Sequence, residues 1–99
     1  MVLNSNLETI LMHLLKYKYQ PEKRSNSWRY ILLEHRRRLD EAFKTSPSLK
    51  RYFLQEFENC YLGARKLASA ETGLAIATFP AETPFAIAQV LHKDYLPED

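Results

Sequence analysis

The stretch YQPEKRSNSWR, Tyr19–Arg29, decides how the chain folds. It holds a proline, three cations, three small polar residues and the only tryptophan of the sequence. Pro21 pushes Gln20 out of the helical region, so a helix arriving from the N-terminal side stops there. Ser25 is the type of residue that accepts from the free amides of a new helix, and Trp28 follows three residues later. A stop and a start this close leave room only for a tight reversal. The flanking helices are therefore expected to pack antiparallel.

Outward from the reversal, the periodicity is helical on both sides. The N-terminal run MVLNSNLETILMHLL has no basic region and no small-residue cleavage site, so it reads as a helix, not as a signal peptide. From about Ser5 to Tyr19, Leu7, Ile10, Leu11, Leu14 and Leu15 form one apolar stripe, with Ser5 and Glu8 spaced as a capping box. A second helix is expected from Asn26 to Lys44. Trp28, Ile31, Leu32, His35, Leu39, Ala42 and Phe43 share one face of it, and Arg36, Arg37 and Arg38 splay over the flanks and back. TSPSL ends that helix and starts a third, with Ser46 as N-cap and Pro47 at the first position. The third helix runs to about Thr72 on a stripe of Leu49, Tyr52, Phe53, Phe57, Cys60, Ala64 and Leu67, and Gly73 ends it in a left-handed conformation. After an irregular LAIATFPAE, Thr83 and Pro84 open a short fourth helix to about His92, carrying Phe85, Ala88, Val90 and Leu91. Tyr95, Leu96 and Pro97 form a tail that folds back. The expectation is an all-α protein: one domain over 1–99, an up-down bundle of three main helices, a short fourth helix and an extended C-terminal tail.

The composition bounds the function classes. Ninety-nine residues with 45% hydrophobic and 12% aromatic content make one modest core, not a disordered chain. A single cysteine excludes an internal disulfide. No apolar run approaches the roughly 20 residues that span a bilayer, so no membrane partner is expected and the cytoplasm is the expected location. The net charge is only +2, but it is unevenly spread. Residues 16–38 carry eight cations against two anions, or +6, and the remainder carries six against ten, or −4. A basic end and an acidic end follow.

Three groups of residues are candidates for chemistry. His35 and Glu56 are polar residues on apolar stripes. They stand eleven and ten residues from Ser46, so an antiparallel second and third helix would face them toward each other. Such a pair suits acid–base work or a metal, but a self-satisfied buried pair is the preferred reading. Arg24 and Arg38 are further possible partners of Glu56. For a metal, His13, His35, Glu56 and Cys60 show no dense ligand spacing, so no metal site and no cofactor are expected. Cys60 reads as a small buried hydrophobe. No phosphate loop, nucleophile elbow or triad pattern is present, so no catalytic residue is assigned. The third group is basic: Lys23, Arg24, Arg29, Arg36, Arg37 and Arg38, interleaved with Tyr17, Tyr19, Trp28 and Tyr30. Cations beside aromatics are what phosphate contact and base stacking require, and the start of the second helix offers free amides to an anion. Against this stands a solvated helix face with Trp28 in the core.

LLKYKYQPEKRSNSWRYILLEHRRRL, then SPSL, ETGL, FP and LP in that order, resembles domain-of-unknown-function family number 29, helical proteins abundant in cyanobacteria. The run Tyr19–Trp28 is the specific part, and the resemblance covers nearly all of the chain. It implies an all-helical bundle with QPE-RS-SW as a recurring signature. It supplies no activity, cofactor or site residue. Members usually carry a further N-terminal helical segment, so the resemblance implies a short form in which the surface of the first helix is left open.

Together these readings favour a non-enzymatic module that binds a partner protein or its own copy through that surface. Binding of nucleic acid or another polyanion by the basic end of residues 16–38 is the alternative. An enzyme built on His35 and Glu56 is the third reading.

Overall fold

The computed structural model describes residues 2–97, Val2 by its backbone alone. Met1, Glu98 and Asp99, at the ends of the expected domain and tail, lie outside the described residues. The elements are α1 (Val2–Tyr19), a 3-10 turn (Pro21–Lys23), α2 (Asn26–Thr45), α3 (Leu49–Thr72), a second 3-10 turn (Ile76–Thr78) and a short α4 (Ile87–Leu91). No strand occurs among the described residues. The all-α class, the three main helices and the short fourth helix are as expected.

The helix directions follow from cross-helix contacts. Asn4 and Lys16 of α1 meet Tyr52 and Glu71 of α3, so α1 and α3 run parallel. Asn6 and Lys16 meet His35 and Trp28 of α2, so α1 and α2 run antiparallel. This is up-down-up packing with α1 in the middle. It packs along both α2 and α3, which touch each other only sparsely. The expected facing of the second and third helices is thereby replaced: α1 stands between them.

A central helix must be covered on more than one side, and α1 is. Its stripe of Leu7, Ile10, Leu11, Leu14 and Leu15 is fully buried, and Leu3 and Tyr17 are buried with it. Asn6, His13, Lys16 and Gln20 are buried too, on positions that the single stripe leaves polar. The open apolar surface expected on the first helix is closed in this arrangement. The helix also begins earlier than its capping box, at Val2, so Ser5 is interior and its carbonyl accepts from Thr9 Oγ1. Glu8, the other half of that box, lies against Gly63 of α3, where an added Cβ would come 2.7 Å from Glu8 Oε2.

The remaining stripes shift in detail. On α2 the fully buried side chains are Leu32, Arg36 and Leu39, so Arg36 faces inward instead of splaying outward. Ile31, His35, Ala42, Phe43 and Trp28 are half-buried. On α3 the buried set is Phe53, Phe57, Cys60, Tyr61, Ala64 and Ala68, while Leu67 is 46% exposed. At 100° per residue Leu67 projects in the same direction as half-buried Leu49, at the edge of a face centred on Phe57 and Ala64. Ser46 closes α2 by donating its amide to Ala42 O, and the turn through Pro47 and Ser48 delays the start of α3 to Leu49. Gly73 ends α3 at φ 76°, as expected. The fourth helix is shorter than the sequence suggests. Thr83 Oγ1 accepts from Phe85 N in a turn of its own, and α4 begins after Ala86, whose amide donates to Gln89 Oε1.

The segment after α3 has little helix of its own and is held by side chains. Tyr61 OH donates to Pro80 O at 2.6 Å, and Arg65 donates twice to Phe79 O. Phe79 is buried edge-on against Tyr19, with ring centroids 5.5 Å apart. The tail folds back: Tyr95 stacks edge-on with Phe85, and its carbonyl is taken by Arg36.

Candidate functional site

The six cations of the basic end do different things. Arg36 is 4% exposed, and its guanidinium donates to the carbonyls of Val90 at 2.9 Å, Tyr95 at 3.0 Å and Gln89 at 3.2 Å. Burial pushes its pKa down to about 10, against the pull of Tyr95 and Asp94, so it stays charged at neutral pH. Arg24 donates to Tyr17 O at 2.7 Å and to Pro97 O at 3.3 Å, with its guanidinium over the Tyr17 ring. Both arginines clasp main-chain carbonyls to the bundle. Arg29 donates to Tyr17 OH and to Asn26 Oδ1. Arg37 and Arg38 are exposed and share Glu34, at 2.9 Å and 3.8 Å. These two contacts, with the first the larger, hold the Glu34 carboxyl below its ordinary range. Lys23 is exposed at the end of the 3-10 turn.

His35 and Glu56 are not joined by any hydrogen bond or ion pair among the described residues. His35 turns to α1, where its Nδ1–H donates to Asn6 Oδ1 at 2.7 Å. Glu56 is half-buried on α3, and its charge acts instead on Cys60. Burial, with smaller contributions from Glu8 and Glu56, pushes the Cys60 thiol up to about 11, so it is protonated at neutral pH. Among the described residues no group of three or more His, Cys, Asp or Glu stands close enough to hold a metal ion.

At the other end of α1, His13, Lys16, Trp28 and Glu71 form a second polar group. Lys16 donates to Glu71 Oε1 and sits 4.8 Å from the centre of the Trp28 ring. Trp28, expected in the core, is half-buried as the apolar floor under this ammonium. The Lys16 hydrogen bond holds the Glu71 carboxyl low. Burial dominates at His13 and lowers its pKa, although its ring bonds Thr9 O at 2.9 Å.

A concavity lies between the start of α1, the second half of α2 and the first residue of α3. It encloses about 820 Å³ and is lined by Leu3, Leu39, Ala42 and Leu49, with Ser5, Asn6, His35 and Arg38 at its polar edge. A volume of this order suits a ligand or several side chains, and apolar walls with a few convergent polar groups are the usual make-up of a binding site. Of its lining, only His35 and Arg38 were candidates from sequence. Asn6 was missed. It belongs to the row Asn6, His13, Gln20, spaced by seven along α1 and the residue that follows it, and that row reads as solvent-facing unless α1 is known to be central.

A family model described as domain of unknown function DUF29 matches residues 1–96 of the 99-residue chain. The chain belongs to the DUF29 family. Comparison with curated proteins and with solved structures finds no match. In this DUF29 chain the signature run Tyr19–Trp28 is a piece of construction. Pro21 opens the 3-10 turn, Ser25 Oγ accepts from Trp28 N at 3.3 Å to cap α2, and Arg24 ties the turn to both Tyr17 and the tail. No helix among the described residues is long and apolar enough to cross a membrane.

Proposed function

We propose that this DUF29 chain is a non-enzymatic protein-interaction module that docks a partner in the pocket between α1, α2 and α3. The observation that supports the reading is the pocket itself: half-buried Ala42 and Leu49 over buried Leu3 and Leu39, edged by Asn6, His35 and Arg38. Binding there removes apolar surface from water, at roughly 25 cal/mol per Å². What favours it over polyanion binding is the use of the cations. Arg24 and Arg36 give their donors to carbonyls, and Arg37 pairs with Glu34 at 2.9 Å, which leaves Arg38 as the cation at the pocket. The cytoplasm is the proposed place of action, in keeping with a buried, unpaired Cys60.

A photocrosslinking side chain at Ser5, on the rim of the pocket, tests the reading in the native cell. One discrete adduct is expected, lost when Ala42→Arg fills the pocket and absent when the crosslinker stands at Glu58 on the exposed face of α3. An adduct of twice the chain mass, with a dimer in light scattering, identifies a second copy as the partner. No adduct from Ser5, with a monomer in solution, sinks the proposal. A salt-sensitive shift of DNA or RNA, weakened in Arg37→Ala/Arg38→Ala, would favour the polyanion reading instead.

A further inference from the structure

The polar edge of the pocket specifies what enters it. The lining carries one cation, Arg38, and no carboxylate. Arg38 keeps a 3.8 Å contact from Nε to Glu34, whose closer bond, 2.9 Å, goes to Arg37. The remaining guanidinium donors of Arg38 are therefore available, on a side chain 56% exposed at the rim. Asn6 is 6% exposed, and with its Oδ1 held by His35 its amide hydrogens still lack an acceptor. His35 carries its proton on Nδ1 in that bond, so Nε2 offers a lone pair and needs a donor. Asn4 Oδ1 is the one side-chain polar atom sealed without a partner among the described residues, so Asn6 Nδ2 and His35 Nε2 both remain reachable.

These requirements differ in kind and must be met together. The walls want an apolar side chain, Arg38 and Asn6 want a carboxylate, and His35 wants an N–H. We propose that the occupant is an acidic–apolar peptide segment, in which a branched apolar side chain enters the pocket beside a glutamate or aspartate. A peptide supplies all three groups within one short segment: an apolar side chain, a carboxylate and backbone N–H. A fatty acid has no N–H, and a nucleic acid brings phosphate without an apolar side chain. The inference rests on the reading of the pocket as a protein-docking site and adds the chemistry of the partner.

Three blocked pentapeptides test it against the full chain by ¹H–¹⁵N NMR titration: acetyl-Ala-Glu-Leu-Glu-Ala-amide, its Gln-Leu-Gln analogue and its Glu-Gly-Glu analogue. The first should shift the amides of Asn6, His35, Leu39 and Ala42. The glutamine analogue should bind roughly three- to ten-fold more weakly, as expected for loss of one charge-assisted contact at a partly exposed site. The glycine analogue should leave those amides unmoved. Arg38→Gln, a change at an exposed side chain, should erase the difference between the first two peptides. Equal binding of the glutamate and glutamine peptides overturns the acidic specificity and leaves the docking reading standing. Failure of all three peptides to shift the pocket overturns the inferred occupant, while the adduct from Ser5 decides the docking reading by itself.

Discussion

Arg36 shows how far a residue's role depends on what reaches it. Its charge is removed from water, and three carbonyls of the C-terminal segment take the place of hydration. Hydrogen bonds to charged groups contribute about 1.5–3 kcal/mol each when formed singly, offset here by the cost of desolvating the guanidinium. Arg36→Leu keeps the apolar stem and leaves those carbonyls unmatched. It should lower stability by about 2–4 kcal/mol, read from urea unfolding. Amide exchange should rise first at Val90 and Tyr95, because their segment has few other ties. Arg37→Leu, one position on and 68% exposed, should change stability by less than about 0.5 kcal/mol. Equal effects of the two substitutions would show that the clasp is not a stabilising contact.

The two glycines separate backbone from packing within one element, α3. Gly73 has φ 76° and open space around its Cβ position, so Gly73→Ala meets only the left-handed penalty, about 1 kcal/mol. Gly63 lies inside the helix with Glu8 Oε2 2.7 Å from the added carbon, and that oxygen is the free end of a flexible side chain. Gly63→Ala gains roughly 1 kcal/mol of helix propensity and displaces Glu8, so the melting temperature should change little or rise. A loss larger than that of Gly73→Ala would mean that Glu8 is fixed where it lies. The helices themselves were legible in the sequence, because Pro21, Ser25, Pro47 and Gly73 act through local backbone chemistry that needs no neighbour. The packing order was not. The stripe of α1 is the same whether the helix lies at the edge or in the middle, and only burial of Asn6, His13, Lys16 and Gln20 tells the two apart. For the same reason Arg24 and Arg36 look like surface charge in the sequence, until the tail comes back over them. Of the candidate site, His35 and Arg38 were visible as residues, but the pocket that joins them to Asn6 and Leu3 is a product of three helices meeting.

At the scale of the whole molecule, a central helix with buried polar groups makes stability depend on pH. His13 faces Lys16 on its own helix, Glu71 from α3 and His35 from α2. Burial is the largest influence and lowers its pKa from 6.5, with Lys16 and His35 acting the same way against Thr9 O and Glu71. His35 is lowered as well, by burial and then by Arg38. A folded pKa below the unfolded one means that the unfolded chain binds more protons as the pH falls below 6.5. The stability that neutral His13 supplies is therefore complete above that pH and declines below it, by at most about 1.4 kcal/mol per pH unit for one group. Glu71 acts in a separate, more acid range: its carboxyl is held low by Lys16, so its contribution persists until the pH drops through 4.5 and below. Urea unfolding between pH 7.5 and 5 should show a falling free energy. His13→Asn, which cannot take up a proton, should be less stable than the parent at pH 7.5 and show a flatter decline. Retention of the full slope in His13→Asn would assign the dependence to His35, and a parent curve flat over this range would show that neither imidazole is held neutral by the bundle.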